Sequence, residues 1–121
     1  MRKASIDILS KENKSLLEEI GIDYYVLHNS KANELAFASN NHRNREFEIK
    51  YMSDGSYRVT TRFLGYKRIM EQYIGMVEKI NDPDGRRYGF KVFVYDKVKL
   101  NDLINMMLKK GHDPDPKIEL I

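Results

Sequence analysis

Two runs of alternating apolar and polar residues, 45–51 and 57–63, flank a Ser-Asp-Gly tripeptide at 53–55. This pattern predicts an antiparallel hairpin whose turn has Gly55 in the left-handed conformation. Since side chains alternate between the two faces of a strand, one set of residues should be directed to the core. That set comprises Phe47, Ile49, Tyr51, Tyr57, Val59, Thr61 and Phe63.

The hairpin register follows from the same alternation. Directly opposed residues share a face, so a three-residue turn is needed to keep the apolar side chains together. This register places Lys50 opposite Arg58 on the outer face, and it places Glu46 opposite Arg62. Two opposed cations repel each other mildly, so the basic hairpin tip suggests an anionic partner.

Helical periodicity predicts three helices. The first is capped by Ser10 and stopped by Gly21, the second covers 66–80, and the third covers the apolar stripe at 100–108 and closes at Gly111. Within the second helix Gly75 is unfavourable by about 1 kcal/mol unless it marks a point of close packing.

Short strands are predicted at 22–28, 34–39 and 86–95, in addition to the two strands of the hairpin. The order is helix, four strands, helix, strand, helix, which predicts an α+β fold with a small, mainly antiparallel sheet and helices on one side. Residues 1–111 form a single domain in this interpretation. The residues expected to be buried in it are Phe47, Ile49, Val59, Phe63, Ile69, Tyr73, Ile74, Val77, Phe90, Val92, Leu103 and Met107. Residues 112–121, broken by two prolines, form an extended C-terminal tail that is ordered only if its apolar residues dock.

Composition limits the function classes. The chain has 121 residues with 41% hydrophobic and 32% charged residues, which is typical of one globular domain. It has no apolar run of membrane-spanning length and no signal-peptide core, so a cytoplasmic location is expected, in the host cell if the protein is encoded by a phage. No cysteine is present, which excludes disulfides and thiolate metal sites. The net charge is only +3, so nucleic-acid binding would require the basic residues to be segregated on one surface.

Three regions supply candidate contacts to nucleic acid. The loop at 40–45 contains only Asn, His and Arg, and Asn and Arg can contact base edges or phosphates. The hairpin contributes its outer-face cations, and the last strand interleaves basic residues with Phe93 and Tyr95. A solvated connecting loop would have the same composition, and the two aromatic residues could instead lie under another element. The candidate DNA-binding residues are Asn41, Arg43, Arg45, Lys50, Arg58, Arg62, Arg87 and Lys91.

The sequence contains little that would support catalysis. The three histidines do not form a metal-ligand pattern, and no catalytic triad or glycine-rich phosphate loop is present. Glu48 and Lys50 form the E-x-K half of a metal-dependent nuclease site, but a further acid is needed to hold Mg²⁺ and none precedes the pair nearby. The expectation is therefore a protein without catalytic residues, metal or cofactor.

Several short strings resemble the C-terminal DNA-binding domain of the MotA family, the middle-promoter transcription activators of T-even bacteriophages. The leading helix with its glycine stop at 14–21 and the string Asn-Glu-Leu-Ala at 33–36 are similar to that family. The Arg-containing loop that runs into 47–49, and Gly-Tyr-Lys at 65–67 opening a helix, are the most distinctive matches. The resemblance covers roughly 11–110 and consists of the shared order of these strings.

The resemblance implies a saddle-shaped "double wing" whose sheet and hairpins contact duplex DNA. Three departures are visible: the chain has no room for the family's separate N-terminal domain, its hairpin at 49–63 is longer, and Pro83 interrupts the segment that matches the next strand. The expected function is a monomeric, non-catalytic protein that binds double-stranded DNA, of the phage transcription-regulator or accessory-factor type. The alternative is an effector that binds a host protein, such as RNA polymerase, through Phe93 and Tyr95.

Overall fold

The computed structural model describes residues 7–27, 33–39, 45–81 and 88–118, and it has a mixed α+β fold. Within these ranges three helices pack on a six-stranded antiparallel sheet with the strand order β1-β2-β3-β4-β6-β5. The elements in chain order are α1 (Lys11–Ile20), β1 (Ile22–Val26), β2 (Glu34–Ser39), β3 (Arg45–Tyr51), β4 (Tyr57–Thr61), α2 (Leu64–Tyr73), β5 (Glu78–Asn81), β6 (Tyr88–Val94) and α3 (Lys97–Lys110).

The helix ends follow local chemistry. The Ser10 hydroxyl accepts a hydrogen bond from the Asn13 backbone N–H, and Gly21 adopts the left-handed conformation at φ 79°, so both predicted boundaries of α1 are confirmed. The Asp96 carboxylate caps α3 by accepting from Val98 N–H. None of the helices in the described part of the chain has the length and apolar character needed to cross a membrane.

The central hairpin has the predicted register. Ile49 pairs with Val59, and Lys50 pairs with Arg58. Gly55 has φ 90°, which a residue with a side chain would adopt only under strain. The alternation of apolar residues and the Ser-Asp-Gly turn therefore specify the hairpin together.

The predicted position of Glu46 is wrong. The pairing of β2 with β3 shifts between Phe37 and Ala38, so that Phe37 opposes Phe47 while Ala38 opposes Arg45. This β-bulge turns Glu46 to the helix side, where it is only 7% exposed. Arg62 consequently does not have Glu46 as its cross-strand partner.

The predicted helix at 66–80 is wrong in its second half. Helix α2 ends at Tyr73, and Gly75 then adopts φ 108°, which is incompatible with a continuing α-helix. Residues of β5 pair with β6, as in the opposition of Lys79 and Phe90. The sheet therefore has one more strand than the sequence pattern predicted.

The core lies between the helices and one face of the sheet. Seven of the residues expected inside are buried, namely Phe47, Ile49, Val59, Ile69, Val92, Leu103 and Met107. Tyr73, Ile74, Val77 and Phe90 were also expected inside and are only partly buried. Phe63 is 39% exposed, contrary to expectation, because it is the N-cap residue of α2 and lies beyond the end of β4.

Two glycines allow α2 and α3 to approach closely. A Cβ added at Gly65 would lie 1.9 Å from the carbonyl oxygen of Gly111, and one added at Gly111 would lie 1.9 Å from the ring of Tyr66. Neither position therefore has room for a side chain. Tyr66 is fully buried at this contact.

An asparagine network joins α1 to α3. The Asn13 amide donates to the Asn101 backbone carbonyl at 2.9 Å, and the Asn101 amide donates to the Ile8 carbonyl at 2.6 Å. Asn105 donates to the Asn13 side-chain oxygen at 3.1 Å. These bonds satisfy Asn13, which is 1% exposed, and orient the two helices.

Residues after α3 lie along α2. The Gln72 amide donates to the Pro116 carbonyl at 2.7 Å, and its oxygen accepts from the Ile118 N–H at 3.0 Å. Arg68 also donates to the Pro114 carbonyl. Pro116 is buried and Ile118 packs against the core, so this segment is held by both polar and apolar contacts.

Candidate nucleic-acid interface

One face of the sheet packs against the helices, and the other, here called the open face, carries most of the charged strand residues. The register defines its members by alternation from strand to strand. The open face comprises Asp23, Tyr25, Glu34, Ala36, Ala38, Arg45, Glu48, Lys50, Arg58, Thr60, Glu78, Lys91 and Phe93.

At the centre of the open face, Lys50 and Arg58 are directly opposed across β3 and β4. Such residues have Cα atoms about 4.5–5.5 Å apart. In the described part of the chain neither side chain forms a hydrogen bond or an ion pair, and the Arg58 Nε is buried without a partner. Two cations thus lie close together, and none of the described residues accepts a hydrogen bond from either side chain.

Toward β1, by contrast, the basic side chain is already engaged. Arg45 Nε donates to the Tyr25 hydroxyl at 3.4 Å, and Arg45 Nη1 contacts Glu48 Oε2 at 3.3 Å. Tyr25 and Glu48 are the two cross-strand neighbours of Ala36, so the bridge covers Ala36, which is fully buried. The small residue supports this bridge and does not leave a gap for a partner.

Toward β5, the open face combines a cation with an aromatic ring. Lys91 Nζ lies 5.8 Å from the centroid of Phe93 and 3.8 Å from Glu78 Oε2. Phe93 is directly opposite Arg58, so its ring lies beside the central cations. Arg62 follows β4, and a Cβ added at Gly89 would lie 3.8 Å from Arg62 Cγ.

Two carboxyl groups adjoin the central cations. Glu34 is directly opposite Lys50 and diagonal to Glu48, close enough for a hydrogen bond between the two carboxyls when one of them is protonated. Burial, followed by this hydrogen bond and the charge of Glu48, raises the pKa of Glu34. Lys50 and Arg58 act in the opposite direction.

The predicted site residues divide into three groups. The structure brings Arg45, Lys50, Arg58 and Lys91 together on the open face, and Arg62 is exposed just beyond the end of β4. Three further predicted residues lie outside the described residues: Asn41, Arg43 and Arg87.

Sequence reasoning did not find Glu34 as a neighbour of Glu48. The signal was present in part, because side-chain alternation places Glu34 on the face of β2 opposite to Leu35 and Phe37. Its pairing, however, depends on the register across the intervening loop and on the bulge in β3. Tyr25 was missed for the same reason. Glu34 on β2 is therefore the further acid beside Glu48 and Lys50 that the sequence analysis did not find.

Other features of the described residues lie elsewhere. They contain no group of three or more His, Asp or Glu side chains arranged to hold a metal ion. A groove of about 670 Å³ lies between the start of α1 and α3, lined by residues that include Asn101, Val98 and Met106. It shares no residue with the open face.

Comparisons of the chain with models of protein families, with curated proteins and with solved structures give no match. Function is therefore inferred from the arrangement of side chains on the open face and from the sequence resemblance.

Proposed function

We propose that this protein is a non-catalytic, double-stranded-DNA-binding protein that uses the open face of its sheet. The observation that carries the proposal is the opposed pair of Lys50 and Arg58, neither of which has a hydrogen bond or ion pair among the described residues. A phosphate between the two cations would relieve their repulsion and use their free donors. The resemblance to the MotA family adds the expectation of a transcription regulator.

The neighbours of this pair suit a phosphate backbone. Phe93 is opposite Arg58 and offers an apolar surface for sugars, and Lys91 lies over its ring. Arg62, at the end of β4, extends the row of cations along the strand. Asn41, Arg43 and Arg87 stay predicted contacts, because they are next to these strands in the sequence and lie outside the described residues.

Phosphate contacts of this kind position DNA without reading its sequence. Each neutralised phosphate should contribute about −0.9 to the slope of log K against log salt concentration, so four contacts give a steep dependence. Affinity should therefore fall strongly with salt and vary little among duplexes of different sequence.

The test is a mobility-shift titration of duplex DNA at two salt concentrations. Lys50→Gln and Arg58→Gln should each weaken binding on the order of tenfold, the loss expected for one charge-assisted contact, and make the salt slope shallower by about 0.9. Charge removal is preferable to reversal at Lys50, since a carboxylate there would face Glu34. Arg58→Gln should cost more, because Arg58 is farther from that carboxyl and carries more donors.

Lys11→Gln is the matched control, since Lys11 is an exposed cation at the start of α1 on the helix side. Its binding should match that of the wild type. If Lys50→Gln and Arg58→Gln bind as the wild type does, the open face is not the interface. If the wild type binds no DNA at low salt, the protein-binding alternative becomes the better account, and a pull-down before and after nuclease digestion would test it.

A second candidate function, metal-dependent cleavage of DNA, is favoured by one observation. Glu34 lies beside Glu48, so that two carboxyls and Lys50 share one face. The proposal of a non-catalytic protein expects no cleavage of supercoiled plasmid in Mg²⁺ or Mn²⁺. Cleavage that is lost in both Glu34→Gln and Lys50→Ala would replace that proposal with the nuclease.

A further inference from the structure

The basic centre of the open face adjoins two groups that can change its charge. Glu34 on β2 is opposite Lys50 on β3, which is opposite Arg58 on β4, while Glu48 on β3 is the diagonal neighbour of Glu34. Among the described residues, the other charged or titratable groups around them on the open face are Arg45, bonded to Glu48, and Tyr25, bonded to Arg45, with Asp23 opposite Ala38 and Lys91 opposite Thr60. Two acids thus share one small area on three adjacent strands with Lys50 and Arg58, which have no ion-pair partner among the described residues.

We propose that the Glu34–Glu48 carboxyl pair takes up a proton when duplex DNA binds, so that the affinity of the open face rises as pH falls. This inference rests on the proposed function. It adds a pH-dependent control of binding that is built into the interface itself.

The physical basis is the competition for Lys50 and Arg58. In the free protein their charges favour the ionised form of Glu34, against its burial and the repulsion from Glu48. A bound phosphate takes over these cations and brings its own negative charge close to the carboxyls. The protonated form of the pair then becomes more favourable, and by linkage the protonated protein binds DNA more tightly.

The geometry also explains how the pair could hold that proton. Glu34 and Glu48 are diagonal neighbours on β2 and β3, so a proton on one carboxyl can be donated to the other. Glu34 is partly buried, which already raises its pKa above the ordinary value. The change on binding therefore starts from a group that titrates closer to neutral pH than a solvated glutamate does.

The experiment is a DNA-binding titration of wild type and Glu34→Gln between about pH 5 and pH 8, with a chelator present to remove divalent cations. Uptake of one proton gives the wild type up to a tenfold gain in affinity per unit fall in pH. In Glu34→Gln the side chain is uncharged at every pH and keeps a hydrogen-bond donor beside Glu48, as the protonated acid does. This variant should bind more tightly than wild type at neutral pH and should lack that part of the pH dependence.

Two controls separate the inference from general charge effects. Glu78→Gln removes one carboxylate from the open face away from the pair, so it should tighten binding but keep the wild-type pH dependence. Histidine titration would affect wild type and Glu34→Gln equally, so only the difference between their slopes counts. Glu34→Gln is preferred to Glu48→Gln because it leaves the contact of Glu48 with Arg45 intact.

A direct measurement of proton uptake on mixing wild type with DNA in weak buffer keeps the test decisive even if the variant folds poorly. Uptake near pH 6 supports the inference. Equal pH slopes in wild type and Glu34→Gln, or no proton uptake on binding, would overturn the inference and leave DNA binding in place. Failure of the wild type to bind at any pH would instead overturn the proposed function, and the inference with it.

Discussion

Replacing Gly65 by alanine sets two opposing effects against each other. Gly65 is the second residue of α2, and alanine in place of glycine favours a helix by up to about 1 kcal/mol. The new Cβ, however, would lie 1.9 Å from the carbonyl oxygen of Gly111 at the end of α3. Since the oxygen belongs to the backbone and the backbone fixes the position of the Cβ, no side-chain rotation can relieve this contact.

The expected magnitude follows from that distance. Restoring a separation of 3.0 Å, below which real Cβ contacts essentially do not occur, requires the helix ends to part by about 1 Å. A gap of that size forfeits about a quarter to a half of the dispersion energy of the atoms that line it, and Tyr66 and Met107 are fully buried there. Overpacking costs about 1–3 kcal/mol, and we expect the upper end. After the gain in helix propensity, Gly65→Ala should be destabilised by about 2 kcal/mol.

Urea and thermal unfolding monitored by circular dichroism would measure this effect. A loss of about 2 kcal/mol corresponds to a Tm lower by roughly 8 °C for a chain of this size. Ser15→Ala is the control, because Ser15 is exposed within α1 and alanine there should stabilise the protein slightly. If Gly65→Ala proved as stable as wild type, the close approach of α2 and α3 would be wrong.

Two further predictions concern Tyr66 and Gln72. Burial, and then the charge of Glu46, raises the pKa of Tyr66 well above its ordinary value near 10, so above pH 10 the unfolded chain loses this proton while the folded protein keeps it. The free energy of unfolding should therefore be unaffected by this group below about pH 10 and should fall by up to about 1.4 kcal/mol per pH unit above it. Alkaline unfolding of Tyr66→Phe should lack this fall. Identical pH profiles of wild type and variant would contradict the burial of the hydroxyl. Gln72→Ala removes the hydrogen bonds to Pro116 and Ile118, so limited proteolysis should cut the segment after α3 faster than in wild type. Glu71→Ala, at the neighbouring exposed position, should not change the cleavage rate. Equal cleavage rates in both variants would mean that apolar packing alone holds the segment.

The hairpin of β3 and β4 could be predicted because two constraints agree. A shift by one residue would expose Ile49 and Val59 and bury Lys50 and Arg58, and the turn at Gly55 fits only one loop length. Where a second constraint was absent, the prediction failed. Apolar residues continue at helical spacing beyond Gly75, so only the positive φ of that glycine and the pairing of β5 with β6 end the helix.

The bulge in β3 explains the errors on the open face. Alternation alone placed Glu46 beside Glu48 on the outside, but one extra residue opposite β2 turns it to the helix side. The same shift sets the register that brings Glu34 opposite Lys50. No local sequence pattern predicts such a shift, because it depends on the pairing register of two strands that are separated by a loop.

The register also changes the meaning of the like-charge pair. From sequence, Lys50 and Arg58 faced each other with no compensation, which by itself suggested an anionic partner. In the structure a row runs across four strands in the order Glu34, Lys50, Arg58 and Phe93, so one carboxyl offsets part of the repulsion within the protein. Two cations still oppose one carboxyl in this row, and Arg58 has the aromatic ring of Phe93 on its other side and a buried Nε without a partner. The unmet charge therefore lies at Arg58, which makes that guanidinium the point where a phosphate would gain most.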